Sequence, residues 1–325
     1  MGVVTRLVLL GLGLLATSVD VAAQSGYPNR TITVVAPSAP GGLYSLFARL
    51  IGNRLEARFG KSIVVENRPG AASISGAVSV ARAAADGYTL MVATSTTLAV
   101  NPALHATLPY DPVADFAPVT LIARVPEVLV VNAELPVHSI SDLVRLAKEK
   151  PGALTFASAG PGTSQHLSGE LLKRTLGVEM THVPYKGMQP AIGDVAGGHV
   201  ALMFAPVPIA LGLIESGKLR VIGISTAERL DAIADVPPLA ELGLPGFNEA
   251  SWFMLVAPVK TPRDIVERLH TELGVLLNTP EVRGELARQG AIAVNSPPPD
   301  ELRTFVQSEI AHAAEMVRKA GVAKM

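Results

Sequence analysis

The sequence predicts an α/β fold made of two lobes, and three observations support this prediction. Short apolar stretches alternate with helical periodicity in the order β-α-β-α-β. The same order returns about 120 residues later, when Ser158 is set against Ala36. A glycine-rich turn follows the first strand of each copy. Strands joined by helices are parallel, so each copy predicts a mainly parallel sheet flanked by helices.

The first copy contains three strands and two helices. The strands are short apolar runs, and Gly60 ends the first helix because glycine readily adopts the left-handed conformation of a helix stop. In chain order, the expected elements are Ile32–Ala36, Leu43–Phe59, Ser62–Glu66, Gly76–Ala84 and Tyr88–Ala93.

The second copy repeats this plan, with Gly177 as the corresponding helix stop. Its expected elements are Leu154–Ser158, Ser164–Leu176, Val178–Val183, Pro190–Ala196 and Val200–Phe204. Two further apolar strands, Val128–Asn132 and Trp252–Ala257, are interpreted as the two crossings between the lobes. Two crossings form a hinge that can close.

The domain boundaries follow from these elements. Lobe 1 is expected to comprise residues 24–126 plus 251–325, and lobe 2 residues 127–250. Lobe 1 finishes in three helices, each of which starts with a proline suited to a first helical turn. These helices are Pro262–Asn278, Pro280–Gln289 and Pro299–Ala320.

Residues 1–23 are predicted to be a signal peptide. Arg6 precedes the apolar run Leu7–Ala16, and the small residues Val21-Ala22-Ala23 suit a cleavage site. The run is too short to span a bilayer. The chain has no cysteine, which excludes disulfides, thiolate metal sites, cysteine nucleophiles and a lipid-anchored N-terminal cysteine. The mature protein is therefore expected to be exported and not lipid-anchored.

Charge and aromatic content exclude several classes of partner. The 27 basic and 28 acidic side chains nearly cancel, and the basic ones are scattered, so no footprint for nucleic acid or anionic lipid is present. Aromatic residues make up only 4% of the chain, which disfavours base stacking. A small-molecule or protein partner remains.

The two glycine turns are candidate anion sites. Pro37–Gly42 and Ala159–Gly162 each connect the carboxyl end of a strand to the start of a helix. Ligands of parallel sheets bind at such strand ends, and the free amides of a helix start attract a carboxylate or phosphate. An ordinary strand-to-helix connection is the alternative for either loop taken alone.

Polar residues near these turns extend the candidate site. Thr94–Thr97 follows a strand, and its hydroxyls suit a carboxylate or bridging water, although simple turn chemistry explains them equally well. Thr163 and Ser164 are interpreted as helix caps. His166 either points into the cleft or packs, and Tyr185 could cover a ligand.

Catalytic and cofactor motifs are poorly matched. Gly160–Gln165 resembles a dinucleotide loop, but Gln165 replaces the third small residue. The seven histidines lack the spacing of a zinc site, and no Gly-x-Ser-x-Gly elbow occurs. We therefore expect no cofactor, no metal and no enzymatic activity. An exported hydrolase using Ser164 or His166 is the less favoured alternative.

Ordered motifs from Tyr27 to the C-terminus resemble one family, the periplasmic solute-binding proteins of tripartite tricarboxylate transporters, also called the Bug family after Bordetella uptake genes. The motifs are Tyr27-Pro28, Pro40-Gly41-Gly42, Val65-Glu66-Asn67-Arg68-Pro69-Gly70-Ala71, Asp86-Gly87-Tyr88-Thr89-Leu90, Leu108-Pro109-Tyr110-Asp111-Pro112, Ala157-Ser158-Ala159-Gly160, His182-Val183-Pro184-Tyr185-Lys186-Gly187 and Gly243-Leu244-Pro245-Gly246-Phe247.

The resemblance implies a type II periplasmic-binding-protein clamshell with two hinge crossings. Such a monomeric receptor captures a small carboxylate in the periplasm and presents it to integral inner-membrane permease subunits. Lobe 1 contacts are then expected from Ala39, Pro40, Gly41, Gly42, Leu43, Tyr44, Ser45, Thr94, Ser95, Thr96 and Thr97. Lobe 2 contacts are expected from Ala159, Gly160, Gly162, Thr163, Ser164, His166, Tyr185, Ala205 and Pro206.

Two positions depart from the family pattern. Ser45 stands where many relatives carry aspartate, and Ala205 stands where relatives often carry another aspartate. The missing acids disfavour an amino-acid ligand, and Tyr44 with Ala205 indicates a less polar pocket for an aromatic or aliphatic carboxylate. A periplasmic sensing module for a membrane signalling protein is the alternative to transport, because it would use the same cleft.

Overall fold

The computed structural model describes residues 26–245 and 247–325, so the predicted signal peptide lies outside the described residues. Its strands are β1 (Ile32–Ala36), β2 (Ile63–Asn67), β3 (Thr89–Thr94), β4 (Phe116–Asn132), β5 (Thr155–Ser158), β6 (Thr181–Pro184), β7 (Leu202–Pro206), β8 (Leu219–Ile224), β9 (Ala250–Pro258) and β10 (Ile292–Ala293). Its α-helices are α1 (Leu43–Phe59), α2 (Ile74–Ala81), α3 (Asn101–Leu104), α4 (Ile140–Glu149), α5 (Ser164–Leu176), α6 (Met188–Ala196), α7 (Val207–Glu215), α8 (Arg263–Leu277), α9 (Pro280–Arg288) and α10 (Pro299–Ala320).

The strands form one continuous mixed sheet in the order β2-β1-β3-β9-β4-β7-β5-β6, with β8 and β10 also paired to β4. Strands β2, β1 and β3 are mutually parallel, as are β6, β5 and β7. These two parallel trios are the repeated β-α-β-α-β units predicted from the sequence. Strands β9 and β4 join the trios in antiparallel pairing.

Strand β4 carries the chain from one half of the molecule to the other. From Phe116 to Pro126 it pairs with β9, and from Glu127 to Asn132 it pairs with β7 and β8. The chain returns between Ser225 and Ala250. The predicted two-lobed α/β architecture with two crossings is therefore present, and the first crossing lies just before the predicted strand Val128–Asn132.

Strand β4 is longer than predicted, because its first half contains prolines, which are unusual in a strand. Pro118 and Pro126 cannot donate ladder hydrogen bonds, and their presence predicts a loop. In the structure, the register of β4 against β9 shifts between Pro118 and Thr120 and again between Leu121 and Ala123. These irregularities accommodate local breaks in a strand that is otherwise almost wholly buried.

The core consists of three clusters of buried side chains. One lies between β1, β3 and β9 and the helices α1 and α8, and a second lies beneath α6 and α7 in the other half. The third is shared by both halves, because α10 packs its Ala313 and Val317 into the same cluster as Leu167 and Leu171 of α5. Helix α10 therefore connects lobe 1 to the helix that begins at the second glycine turn.

No helix in the described residues is long and apolar enough to cross a bilayer.

Helix α5 is held close to its sheet by Gly169. A Cβ atom at this position would overlap the Phe156 ring of β5. We expect Gly169→Ala to lower the free energy of unfolding by about 1–3 kcal/mol, because the ring or the helix must shift. Gly193 in α6 is the matched control, since a Cβ there meets nothing within 4 Å. Gly193→Ala should stabilise the protein by up to about 1 kcal/mol, because alanine favours the helix. Urea unfolding of both variants measures the difference, and equal effects would contradict the close packing of α5.

Candidate functional site

The first glycine turn leaves the start of α1 open. Gly41 has a φ of 87°, a left-handed conformation that favours glycine. Gly42 is the N-cap residue, and no side chain caps the helix. The hydroxyl of Ser45 accepts a hydrogen bond of 2.6 Å from Asn67 Nδ2 instead. The first-turn amides of α1 thus lack both intrahelical and side-chain partners. Ala39, Pro40 and Gly41 are exposed, whereas Leu43 and Ser45 are buried.

The second glycine turn has the same property. Gly160 and Gly162 have φ values of 138° and 78°. Thr163 is the N-cap residue of α5, but its side chain makes no capping hydrogen bond and its hydroxyl donates to the Gly160 carbonyl at 2.8 Å. Thr163 therefore occupies the predicted cap position, but neither its hydroxyl nor that of Ser164, the first helical residue, caps the helix, because both hydroxyls have other partners. The start of α5 is also open.

A hydrogen bond connects the first glycine turn to lobe 2. Gln189 Nε2, at the start of α6, donates to the Gly41 carbonyl at 3.3 Å. The sequence did not single out Gln189, because nothing in its neighbours predicts a partner nearly 150 positions away. The contact places the first glycine turn opposite lobe 2, where Gly160 and Tyr185 lie at the carboxyl ends of β5 and β6.

The hydroxyl-rich segment Thr94–Thr97 belongs to a network of hydrogen-bonded side chains in lobe 1. Tyr44 Oη lies 2.8 Å from Thr94 Oγ1, and Thr97 Oγ1 lies 2.8 Å from Ser73 Oγ. Thr94, Thr96 and Thr97 are buried, and residues 96–100 form a π-helix where a turn was expected. Ser73 is a further member that the sequence did not indicate. Its φ of 73° is a left-handed conformation that side chains seldom adopt.

Two stacked histidines, His166 and His182, lie beside the second glycine turn. Gly162 N–H donates to His166 Nδ1 at 3.2 Å, and the His166 ring stacks on His182 with centroids 4.1 Å apart. Burial lowers the pKa of His166, and burial with the neighbouring His166 lowers the pKa of His182 to about 4. His182 Nε2 lies 2.7 Å from the fully buried hydroxyl of Ser158. These rings supply polarity at neutral pH but no positive charge.

The remaining predicted contacts of lobe 2 differ in burial, since Tyr185 is half-buried whereas Ala205 and Pro206 are buried. Tyr185 donates its hydroxyl to Asp194 at 2.5 Å, and burial with this carboxylate raises the pKa of Tyr185 to about 12. Ala205 is fully buried and pairs with Val128 in the sheet. Pro206 is also buried and precedes α7. The Ala205 methyl group therefore has no exposed surface in this conformation.

Ser164 is oriented towards the crossing between the lobes. Its hydroxyl donates to Glu127 Oε1 at 2.9 Å and lies 3.3 Å from Ser251 Oγ. It makes no hydrogen bond to His166, the partner that the hydrolase alternative requires. The described residues hold no group of three or more His, Asp or Glu side chains arranged to bind a metal ion.

The site as a whole favours a small anion held by backbone amides. Two open helix starts lie at the carboxyl ends of parallel strands, and helix dipoles place partial positive charge there. The segments Ala39–Ser45, Thr94–Thr97 and Ala159–His166 contain no lysine or arginine. Recognition by amides and hydroxyls suits a carboxylate.

Known proteins resemble this chain over nearly its full length. The family model described as the tripartite tricarboxylate transporter family receptor matches residues 47–322. BugT of Bordetella pertussis is 36% identical over 321 residues, which cover 98% of each chain. A protein of R. palustris solved with adipate is 38% identical with a TM-score of 0.89, and the match covers 92% of this chain and 100% of that one. MatC from Rhodopseudomonas palustris, solved with bound malate, is 35% identical with a TM-score of 0.84, and the match covers 90% of this chain and 100% of that one.

These similarities confirm the resemblance predicted from the motifs and the type II clamshell that it implied. The matching proteins are substrate-binding receptors rather than enzymes. The chain belongs to the tripartite tricarboxylate transporter receptor family, which includes the Bug proteins, and it is a periplasmic solute-binding receptor of that family.

Proposed function

We propose that this receptor captures a small organic carboxylate between the two glycine turns and delivers it to the permease subunits of a tripartite transporter. The observation that carries the proposal is the pair of open helix starts at α1 and α5, joined across the gap by Gln189 and Gly41. Each offers unpartnered amides and the positive end of a helix dipole to an anion. The similarity to receptors solved with adipate and with malate supports the same ligand class.

The proposed contacts remain those predicted from the sequence, and different residues are proposed to have different roles. Ala39, Gly41, Gly42, Ala159 and Ser164 would present backbone groups to the carboxylate. Tyr44 would border the rest of the ligand, since its ring packs edge-on against Phe253 at 5.8 Å. Ser45 is bonded to Asn67 and carries no charge, so it offers no partner for an ammonium group. We therefore favour an aliphatic or aromatic carboxylate over an amino acid.

Ligand-driven closure would provide the signal that the permease reads. A carboxylate that contacts both lobes binds the closed form more tightly, and it therefore shifts the population towards that form.

We place the limits of lobe 1 at residues 24–126 plus 251–325 and those of lobe 2 at residues 127–250. We also propose that the protein is a monomer whose residues 1–23 are removed on export. N-terminal sequencing of the secreted protein tests the export step.

A ligand screen tests the proposed chemistry. Adipate, malate, benzoate and aspartate are titrated by calorimetry and in a thermal-shift assay, with adipamide as the uncharged control. We expect at least one carboxylate other than aspartate to bind saturably and to raise Tm, since binding to the folded state alone stabilises it. Adipamide should not bind. Selective binding of aspartate would refute the proposed ligand class, and turnover of any ligand would favour the hydrolase alternative.

A membrane pull-down tests the proposed partner. The ligand-loaded receptor should recover permease subunits after cross-linking in the cell, and the ligand-free receptor should recover less. Recovery of a membrane signalling protein instead would assign the same cleft to sensing.

A further inference from the structure

A buried carboxylate lies beside the proposed ligand site but outside the predicted contacts. Glu127 is 4% exposed and occupies the position where β4 exchanges its partner β9 for β7. Its side chain accepts hydrogen bonds from the first turns of α5: from Ser164 Oγ at 2.9 Å, from Ser168 Oγ at 3.4 Å and from Gln165 Nε2. The carboxylate therefore links the open start of α5 to the first crossing.

The second crossing is tied to the same residue. Glu127 N–H donates to Ser225 Oγ at 3.0 Å, and Ser225 N–H donates to the Glu127 carbonyl at 2.8 Å. Ser225 Oγ in turn donates to the Glu249 carbonyl at 2.6 Å. Both crossings of the hinge thus meet at Glu127, so closure of the lobes would change the surroundings of its carboxylate.

The charged groups that face Glu127 are acidic or histidine. It lines a cavity between the lobes and α10 whose ionisable side chains, among the described residues, are Glu127, Glu249, Glu309 and His312. His312 Nε2 lies 2.7 Å from Glu249 Oε1, and Glu309 accepts from Trp252 Nε1 at 2.6 Å. Within the part of the chain that the structure describes, no lysine or arginine lines this cavity to balance the charge of Glu127. Ser251 on β9 is neutral.

The surroundings of Glu127 bring the pKa of its carboxyl group close to neutral pH. Burial, with a smaller contribution from the charge of Glu249, raises the pKa of Glu127 to about 7, although the hydrogen bonds from Ser164, Gln165 and Ser168 oppose the increase. Both ionisation states are therefore present under ordinary conditions.

We propose that Glu127 is a positioning residue that couples carboxylate capture at the start of α5 to the uptake of one proton. This inference rests on the proposed function. An anion held by the Ser164 amide would lie roughly 6 Å from the Glu127 carboxylate, which bonds the side chain of the same residue. At an effective dielectric constant of about 20, repulsion between two charges at this distance corresponds to roughly a hundredfold change in affinity. Protonation of Glu127 removes that repulsion.

The proton exchange is balanced and preserves the hydrogen bonds. One proton passes from the solvent to the Glu127 carboxylate as the ligand anion enters, and it returns to the solvent when the ligand leaves. The new carboxyl O–H can donate to Ser164 Oγ. The Ser164 hydroxyl can then turn towards Ser251 Oγ, which lies 3.3 Å away. The first turn of α5 therefore stays attached to the hinge in both states.

Calorimetry across pH tests the coupling. Adipate and malate, both fully ionised in this range, are titrated between about pH 6.5 and 8.5 in two buffers of different ionisation enthalpy. For the wild type we expect Kd to rise about tenfold with pH, and binding near pH 7.5 to take up roughly 0.5–0.8 proton. For Glu127→Gln, which is isosteric and uncharged, we expect a flat profile and no proton uptake.

One control variant and the pattern of outcomes test the coupling. His312→Gln removes the imidazole in the same cavity and should retain the wild-type profile. Carboxylate binding that is independent of pH in the wild type, or equally dependent on pH in Glu127→Gln, would overturn the coupling and leave the proposed function intact. Failure of every carboxylate to bind would overturn both proposals. A purely structural role for Glu127 would lower affinity in Glu127→Gln at all pH values equally, and this result would also overturn the coupling.

Discussion

Replacement of Ala39 by glutamate is expected to weaken carboxylate binding by about fifty- to a hundredfold. Ala39 is exposed in the turn before α1, so a longer side chain can be accommodated without disturbing the core. A new negative charge about 6–7 Å from the ligand carboxylate would cost about 2–3 kcal/mol at an effective dielectric constant near 20. Calorimetric titration with the carboxylate identified in the screen measures this loss.

Ala39→Gln is the matched control, because it adds nearly the same volume without charge. We expect it to bind within a few-fold of the wild type and to share the Tm of Ala39→Glu in the absence of ligand. The difference between the two variants should shrink at high salt, since exposed charges are screened. If glutamate and glutamine weaken binding equally, the turn acts through its shape and the anion-site proposal for lobe 1 is wrong.

Glu127→Gln is expected to be more stable than the wild type by up to about 3 kcal/mol at pH 8 and equally stable near pH 4. The folded state raises the pKa of Glu127 from 4.5 to about 7, so the folded protein binds its proton more tightly than the unfolded chain does. Between these two values the native state holds more protons, and wild-type stability falls as pH rises, by up to about 1.4 kcal/mol per pH unit. Above pH 7 the loss levels off.

Urea unfolding at several pH values between 4 and 8 measures this difference. The advantage of the glutamine variant should increase with pH and then become constant. Glu228→Gln, at an exposed position, serves as the control and should follow the wild-type curve at every pH. Parallel curves for Glu127→Gln and the wild type would show that the buried carboxylate is ionised at no cost.

The elements that carry strong local signals were predicted closely. Helices α1, α5 and α10 begin and end at the predicted residues, because each is bounded by a turn or proline before it and a glycine after it. Helices α3, α4 and α7 and strands β8 and β10 were not predicted. The strand predicted at Val200–Phe204 corresponds to β7, and the apolar residues that follow it form α7.

The positions of the two glycine turns were predictable, but the hydrogen bonds around them were not. The glycine turns lie where strands meet helices, and this arrangement is visible in the chain itself. Ser73 belongs to the hydroxyl network, but no local sequence pattern predicted this, because its left-handed conformation depends on the surrounding loop. Gln189 and Glu127 were also missed, since each acts through a partner on a different element.

The repeated β-α-β-α-β plan, the glycine turns at the strand ends and the membership of the receptor family can all be recognised in the amino-acid sequence. These properties depend on residue types at short spacings. The partners of the polar side chains, in contrast, are known only from the folded structure: Ser45 bonds Asn67, Tyr185 bonds Asp194 and Ser164 bonds Glu127. Periodicity determines which face of an element is buried, whereas a hydrogen bond needs two atoms within about 3 Å, which depends on how separate elements pack.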